Sequence, residues 1–102
     1  MKIQWSPTAI ADIESIRAYI ASDSSRAANG VSKRIKEAIL RLQDFPFSGR
    51  EGRVPETREL VVPGTAYIAA YIIKDDEIQI AAVLHGQRDW PESFKGRTES
   101  NP

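Results

Sequence analysis

Residues 67–73 are all apolar, and this run constrains the fold more than any other part of the chain. It is bounded by Pro63-Gly64 on one side and Asp75-Asp76 on the other, and its β-branched and aromatic content reads as a strand. Side chains alternate along a strand, so Tyr67, Ala69, Tyr71 and Ile73 share one face while Ile68, Ala70 and Ile72 share the other. An antiparallel sheet with one wet face shows polar residues on that face. Here neither set is polar, so the sheet needs cover on both sides. Glu77–His85 is the next strand, with Ile78, Ile80, Ala82 and Leu84 expected toward the core and Gln79, Ala81, Val83 and His85 on the opposite face.

The upstream half supplies cover for one face only. Lys2–Trp5 alternates polar and apolar and reads as a short strand. Ser6 is a good N-cap, Pro7 suits the first helical position, and Trp5 is placed to staple onto Ile10. Ile10, Ile13, Ile16 and Ile20 recur at helical steps to about residue 22, with Asp12, Glu14 and Arg17 near or beyond the edges of that stripe. Ser24 or Ser25 caps a second helix, whose Val31, Ile35, Ala38, Ile39 and Leu42 share a face and which ends near Asp44 ahead of Pro46. Residues 45–55 show no period and read as a loop. Strands follow at 58–62, 66–74 and 77–85, joined by a type II turn at Pro63-Gly64 and a hairpin turn at Asp75-Asp76. The expected fold is α+β: an N-terminal strand, an α-helical hairpin, then a three-stranded antiparallel meander packed on the helices. Residues 1–94 form one domain on this reading, and the polar stretch 95–102 frays. Trp90, Pro91 and Phe94 can fold back over the second face in part, but so short a segment cannot cover the width of three strands.

Composition narrows the function. The chain has 102 residues, 41% of them hydrophobic, enough for one core. Lys plus Arg and Asp plus Glu each number 14, so no basic field draws it onto nucleic acid. There is no cysteine, which excludes disulfides, thiolate chemistry and Cys-based metal sites. No apolar stretch is long enough to span a bilayer, and the N-terminus has no secretory h-region. No membrane association and a cytoplasmic location are expected.

Chemical motifs are sparse. His85 is the only histidine, too few for a usual metal site, and no cofactor is expected. His85 can serve as a general acid–base group at a strand end, or it can order the turn at Gly86 through a backbone hydrogen bond. Arg50, Arg53, Arg58 and Arg88 can converge on a phosphate, or they can pair with the neighbouring Glu51, Glu56, Glu59 and Asp89 as a salt-bridged surface. No phosphate-binding Gly-rich loop, Ser-His-Asp spacing or HExxH motif is present.

Several segments together resemble the RelE/ParE family of toxins from bacterial type II toxin–antitoxin pairs, nearer the ParE-like branch. They are the Ser-Pro-capped helix, a second helix running into Leu42-Gln43-Asp44-Phe45-Pro46, Arg58-Glu59-Leu60-Val61-Val62, Tyr67-Ile68-Ala69-Ala70-Tyr71, and Leu84-His85-Gly86-Gln87-Arg88-Asp89-Trp90-Pro91. The resemblance spans about residues 2–94. It implies a cognate antitoxin that wraps the toxin and covers the second face, docking on Tyr67, Ala69, Tyr71, Ile73, Ala81, Val83, His85 and Trp90. The pair would form a heterotetramer or a larger assembly that meets DNA only through the antitoxin. ParE-like members poison DNA gyrase and are not enzymes; RelE-like members cut mRNA on the ribosome. If this chain were such a ribonuclease, the resemblance assigns catalysis to His85, Arg88 and Arg58. RelE-like toxins carry an arginine after the tyrosine that opens the central strand, where this chain has Ile68, and the balanced charge disfavours rRNA docking. The resemblance therefore favours gyrase over the ribosome, with a degenerate protein that only binds antitoxin as a further alternative.

Overall fold

A computed structural model describes residues 1–87 of the chain. Arg88, Trp90, Pro91, Phe94 and the 95–102 stretch expected to fray lie outside the described residues. The elements run β1 (Lys2–Trp5), α1 (Pro7–Ala21), α2 (Ser25–Leu40) with a 3-10 turn at Arg41–Gln43, β2 (Arg50–Glu51), β3 (Arg58–Val61), β4 (Tyr67–Lys74) and β5 (Glu77–His85). They form a five-stranded sheet in the order β1-β5-β4-β3-β2, in which only the β1–β5 pairing is parallel. The α+β architecture is the expected one, and the sheet is wider than a three-stranded meander. Arg50–Glu51, read as loop from sequence, is an edge strand on β3, too short to leave a period-two signal.

Local chemistry sets the boundaries. The Ser6 hydroxyl accepts from the Ala9 N–H at 3.0 Å, and the Ser24 hydroxyl accepts from the Ala27 N–H at 3.1 Å, capping the two helices. Across Pro63-Gly64 the Thr65 N–H donates to the Val62 carbonyl at 3.2 Å, and Gly64 takes φ +77°, the positive value a type II turn requires. Asp75 and Asp76 take φ +54° and +59°, the pair of left-handed residues of a type I′ hairpin whose twist matches the flanking strands.

Both helices cover the same sheet face. Ile35, Ile39 and Leu42 from α2 and its following turn are fully buried against Val62, Ala69, Tyr71, Ile78, Ile80 and Val83, with Ile3 and Trp5 of β1 packed alongside. Each large aliphatic in that core contributes at most roughly 1.5–3 kcal/mol. The α1 stripe is rotated from the expected one. Ala9 and Ile13 are buried, while Ile10 is 49% exposed and is not part of the core around Trp5. Asp12, expected near or beyond the edge of the stripe, instead reaches the sheet.

That rotation follows from how α1 is tied to β5. The β4–β5 register pairs Ala70 with Ala82 and then Tyr71 with Ile80, leaving Ala81 as the extra residue of a β-bulge. Beyond Ile80, β1 no longer covers the outer edge of β5, and α1 takes over. The Ser6 N–H donates to the Ile80 carbonyl at 3.1 Å, the Ser6 hydroxyl donates to the Ala81 carbonyl at 3.0 Å, and the Asp12 carboxylate accepts from the Val83 N–H at 2.9 Å. Since the pairing at 78 to 80 is out of phase with that at 82 to 85, Ile78, Ile80 and Val83 face the helices. Ala82 and Leu84, expected in that core, face the other way.

Asp12→Ala should therefore lower stability by about 1–3 kcal/mol by stranding the Val83 N–H, and Asp12→Asn should recover part of the loss; urea unfolding of the three proteins measures both effects.

Candidate functional site

The second face of the sheet is built from Ile68, Ala70, Ile72, Gln79, Ala82 and Leu84, and its two ends differ. At the β2–β3 end a tight turn folds over it. The Gly52 N–H donates to the Thr57 carbonyl at 2.8 Å, the Thr57 N–H and hydroxyl both donate to the Val54 carbonyl, and Glu56 takes φ +70°. This turn buries Val54 against Ile68, Ala70 and Ala82, with Ala81 and Leu84 packed on the cluster. At the β1 end the face stays open. Gln4, Ile72, Gln79 and Ala81 line a shallow depression of about 230 Å³ with Trp5 and Ser6 at its edge.

A charge cluster sits beside the covered end. Glu59 is only 3% exposed and accepts from Arg50 Nη2 at 3.0 Å, Arg53 Nε at 3.1 Å and the Arg53 backbone N–H at 2.8 Å. Burial by itself raises the Glu59 carboxyl pKa. The Arg53 N–H, the hydrogen bonds from the Arg53 and Arg50 guanidiniums and the Arg53 charge outweigh it and hold the carboxyl below its ordinary value. Arg53 also donates to the Gly86 carbonyl at 3.3 Å, tying the turn to the end of β5. The salt-bridged reading thus describes Arg50 and Arg53.

The residues singled out from sequence do not share one surface. Ala69, Tyr71 and Val83, taken as a docking floor, are buried under the helices. Tyr67, Ile73 and His85 are half-buried on that same side, because the helix-facing set of β4 is the odd-numbered one and the bulge brings Val83 and His85 into phase with it. Of the described members of that set, Ala81 alone lies on the second face, at the depression. His85 meets Tyr67 edge to face, with centroids 5.8 Å apart, and its Nδ1 accepts from the Gln87 N–H at 3.2 Å. The imidazole orders the turn at Gly86. Arg58 pairs across from Tyr71, whereas His85 pairs across from Tyr67, so the two lie about 13 Å apart along the strand direction alone. The structure does not bring His85 and Arg58 into one catalytic centre. Among the described residues no three His, Cys, Asp or Glu side chains cluster as metal ligands, and no helix is long and apolar enough to cross a membrane.

Arg58 has a different task. Its Nη1 donates to the Gly49 carbonyl at 2.7 Å and to the Phe47 carbonyl at 3.4 Å, and its guanidinium lies 5.1 Å from the Phe47 ring centroid. The buried Tyr71 hydroxyl donates to the Pro46 carbonyl at 2.8 Å and accepts from the Gly49 N–H at 2.9 Å. Burial raises the phenol pKa, with the Gly49 N–H and the Arg58 charge acting against it. A Cβ on Gly49 would sit 2.5 Å from the Tyr71 oxygen, so this approach needs glycine. Sequence reading missed this loop, together with Val54 and Ile72 as parts of the second face. The Phe-Pro-Phe run at 45–47 was the available signal.

The family model for the ParE toxin of type II toxin–antitoxin systems matches residues 3–90. The chain belongs to the ParE toxin family. Among relatives of this ParE-family chain, the candidate toxin Y4kP of Sinorhizobium fredii is 40% identical over 91 residues, covering 89% of this chain and 94% of Y4kP. Toxin RelE2 of Caulobacter vibrioides is 31% identical over 87 residues, covering 85% and 97% of the two chains. A chain of the chromosomal ParDE toxin–antitoxin system of P. aeruginosa shares the fold with a TM-score of 0.73 at 28% identity, over 81% of this chain and 92% of that one.

The Glu59 cluster gives this ParE-family fold an acid-sensitive joint. Because the folded pKa lies below the unfolded one, its stabilisation is complete above the unfolded carboxylate pKa of about 4.3 and is lost as pH falls through the folded value. Glu59→Gln should cost about 1.5 kcal/mol at pH 7, a modest figure because both guanidiniums are half-exposed. The gap should narrow as pH drops below about 4, as urea midpoints measured across pH will show.

Proposed function

We propose that this ParE-family toxin arrests growth by binding and poisoning DNA gyrase, and that a cognate antitoxin neutralises it by covering the open half of the second sheet face. The observation that carries the first part is the disposition of its polar groups. A ribonuclease needs an acid–base group and phosphate-binding cations converging within hydrogen-bond reach of one substrate. Among the described residues Arg50 and Arg53 are held by Glu59, Arg58 lies opposite Tyr71 and is held by loop carbonyls, His85 lies opposite Tyr67 with its Nδ1 accepting from the Gln87 N–H, and Ile68 is buried in the second face. That arrangement favours a poison acting through protein contact. The second part is supported by the depression at Ile72 and Gln79 and by the solved ParDE relative, which is itself a toxin–antitoxin system.

The alternative of mRNA cutting on the ribosome is favoured by the RelE2 relative alone. Expression without antitoxin should stop growth, and the purified protein should inhibit gyrase supercoiling in vitro. Codon-linked mRNA cuts with untouched gyrase would reverse the assignment, and normal growth would leave only an antitoxin-binding protein. Ile72→Glu, placed at the open depression, should weaken antitoxin binding by at least about tenfold while leaving growth arrest intact; a co-purification titration and a plating assay read the two separately.

A further inference from the structure

The loop at 45–49 spends core interactions on holding up two side chains that stay outside the core. Phe45 and Phe47 are 65% and 63% exposed. The backbone between and beyond them is pinned at every peptide that matters. The Phe45 N–H donates to the Arg41 carbonyl at 3.0 Å, and the Ser48 N–H donates to the Phe45 carbonyl at 3.1 Å. The Tyr71 hydroxyl bridges the Pro46 carbonyl and the Gly49 N–H, and Arg58 bridges the Phe47 and Gly49 carbonyls. Pro46 restricts its own φ and the conformation of Phe45 before it. A buried tyrosine and a half-buried arginine thus fix a turn that presents aromatic rings to solvent. Rigid, exposed aromatics are the side chains that most often anchor protein interfaces, because their ordering entropy is lost before binding.

We propose that Phe45 and Phe47 are the anchors by which this toxin grips its target, and that the matching site is an apolar groove on a protein with a carboxylate at its rim. The inference rests on the reading of this chain as a poison of a protein target. The carboxylate follows from Arg58. Its Nη1 is used by the loop and, among the described residues, Nε and Nη2 remain as donors beside the Phe47 ring, where a guanidinium stacked on an aromatic suits an incoming carboxylate. A nucleic acid fits less well, since single-strand platforms need a cationic track beside the stacking rings. The neighbouring Arg50 and Arg53 are engaged by Glu59 and the chain carries 14 basic and 14 acidic residues. The antitoxin is assigned to the other side of the sheet. Arg58 and Tyr71 belong to the helix-side set, whereas Ile72 and Gln79 belong to the opposite one.

The test uses the full chain with Phe45→Ala/Phe47→Ala and, separately, Tyr71→Phe, which keeps the buried ring and removes only the hydroxyl pin. The double variant should need about a hundredfold more protein for half-inhibition of gyrase supercoiling and should lose growth arrest, while its melting temperature and antitoxin affinity stay near those of the parent. Tyr71→Phe should show a smaller loss, of about threefold to tenfold, with both rings present. Growth arrest at the parental level by the double variant overturns the inference whatever the target is. Loss of antitoxin affinity with gyrase inhibition unchanged overturns it too, as does loss of binding to single-stranded RNA or of concentration-dependent self-association in sedimentation, which would make the loop a nucleic-acid or dimer contact. If the parent arrests growth yet leaves gyrase untouched, the gyrase reading fails by itself, and abolished arrest in the double variant still supports the loop as the grip on another protein.

Discussion

One residue too many in β5 has to be accommodated where the strand passes out from under β1, and the fold is organised around that accommodation. Ala81 falls at the register shift of the β4–β5 ladder, between the Ala70–Ala82 and Tyr71–Ile80 pairs. On the outer edge, the Ala81 carbonyl and the Val83 N–H would face the interior with no strand to meet them. Ser6 and Asp12 supply those partners, and in doing so they fix how far α1 rotates and slides along the sheet. Ala9 and Ile13 then form its buried face, with Ile10 left outside. Strand phase, helix rotation and core membership are one coupled choice.

The same phase shift defines the surfaces that are available for binding. By turning Val83 toward the helices and Ala82 toward the other side, it places two small residues, Ala70 and Ala82, opposite each other on the second face. The Val54 turn can then close over them. The turn is held by Glu59, a carboxylate kept charged in a buried place by hydrogen bonds from Arg50 and Arg53. Covering one half of the face from within leaves the open depression at the β1 edge as the part that a partner can fill. On the helix side, Tyr71 and Arg58 spend their polar groups on the loop after α2. The protein thus carries two separate exposed apolar features on opposite sides of one sheet, a geometry suited to binding an inhibitor and a target through different surfaces.

Much of this was legible beforehand. Ser6-Pro7 and Ser24 announce helix starts because an N-cap acts on N–H groups within its own turn, and Pro63-Gly64 and Asp75-Asp76 announce their turns because positive φ is a local requirement. The excess of apolar residues in β4 signalled a strand apolar on both faces; the helices cover one of them, and the Val54 turn covers part of the other. What the sequence missed involves contacts distant along the chain. Neither the two-residue strand β2 nor the burial of Glu59 has a periodic signature, and the site of Val54 emerges only when β3 and β4 are side by side.

The chain by itself determined its α+β class and its helix and hairpin boundaries, since these rest on local backbone preference and on alternation within a single strand, while its ParE-family membership was legible in matching segments such as Leu84-His85-Gly86-Gln87-Arg88. The tertiary structure decided which residues occupy which face. A strand's alternation holds only while its register is unbroken, and a bulge is stable only where distant groups such as Ser6 and Asp12 satisfy the backbone it exposes. That is why the residues first read as a docking floor, Ala69, Tyr71 and Val83, are core, and why the candidates for binding are the half-buried Ile72 at the depression and the exposed Phe45 and Phe47 on the pinned loop.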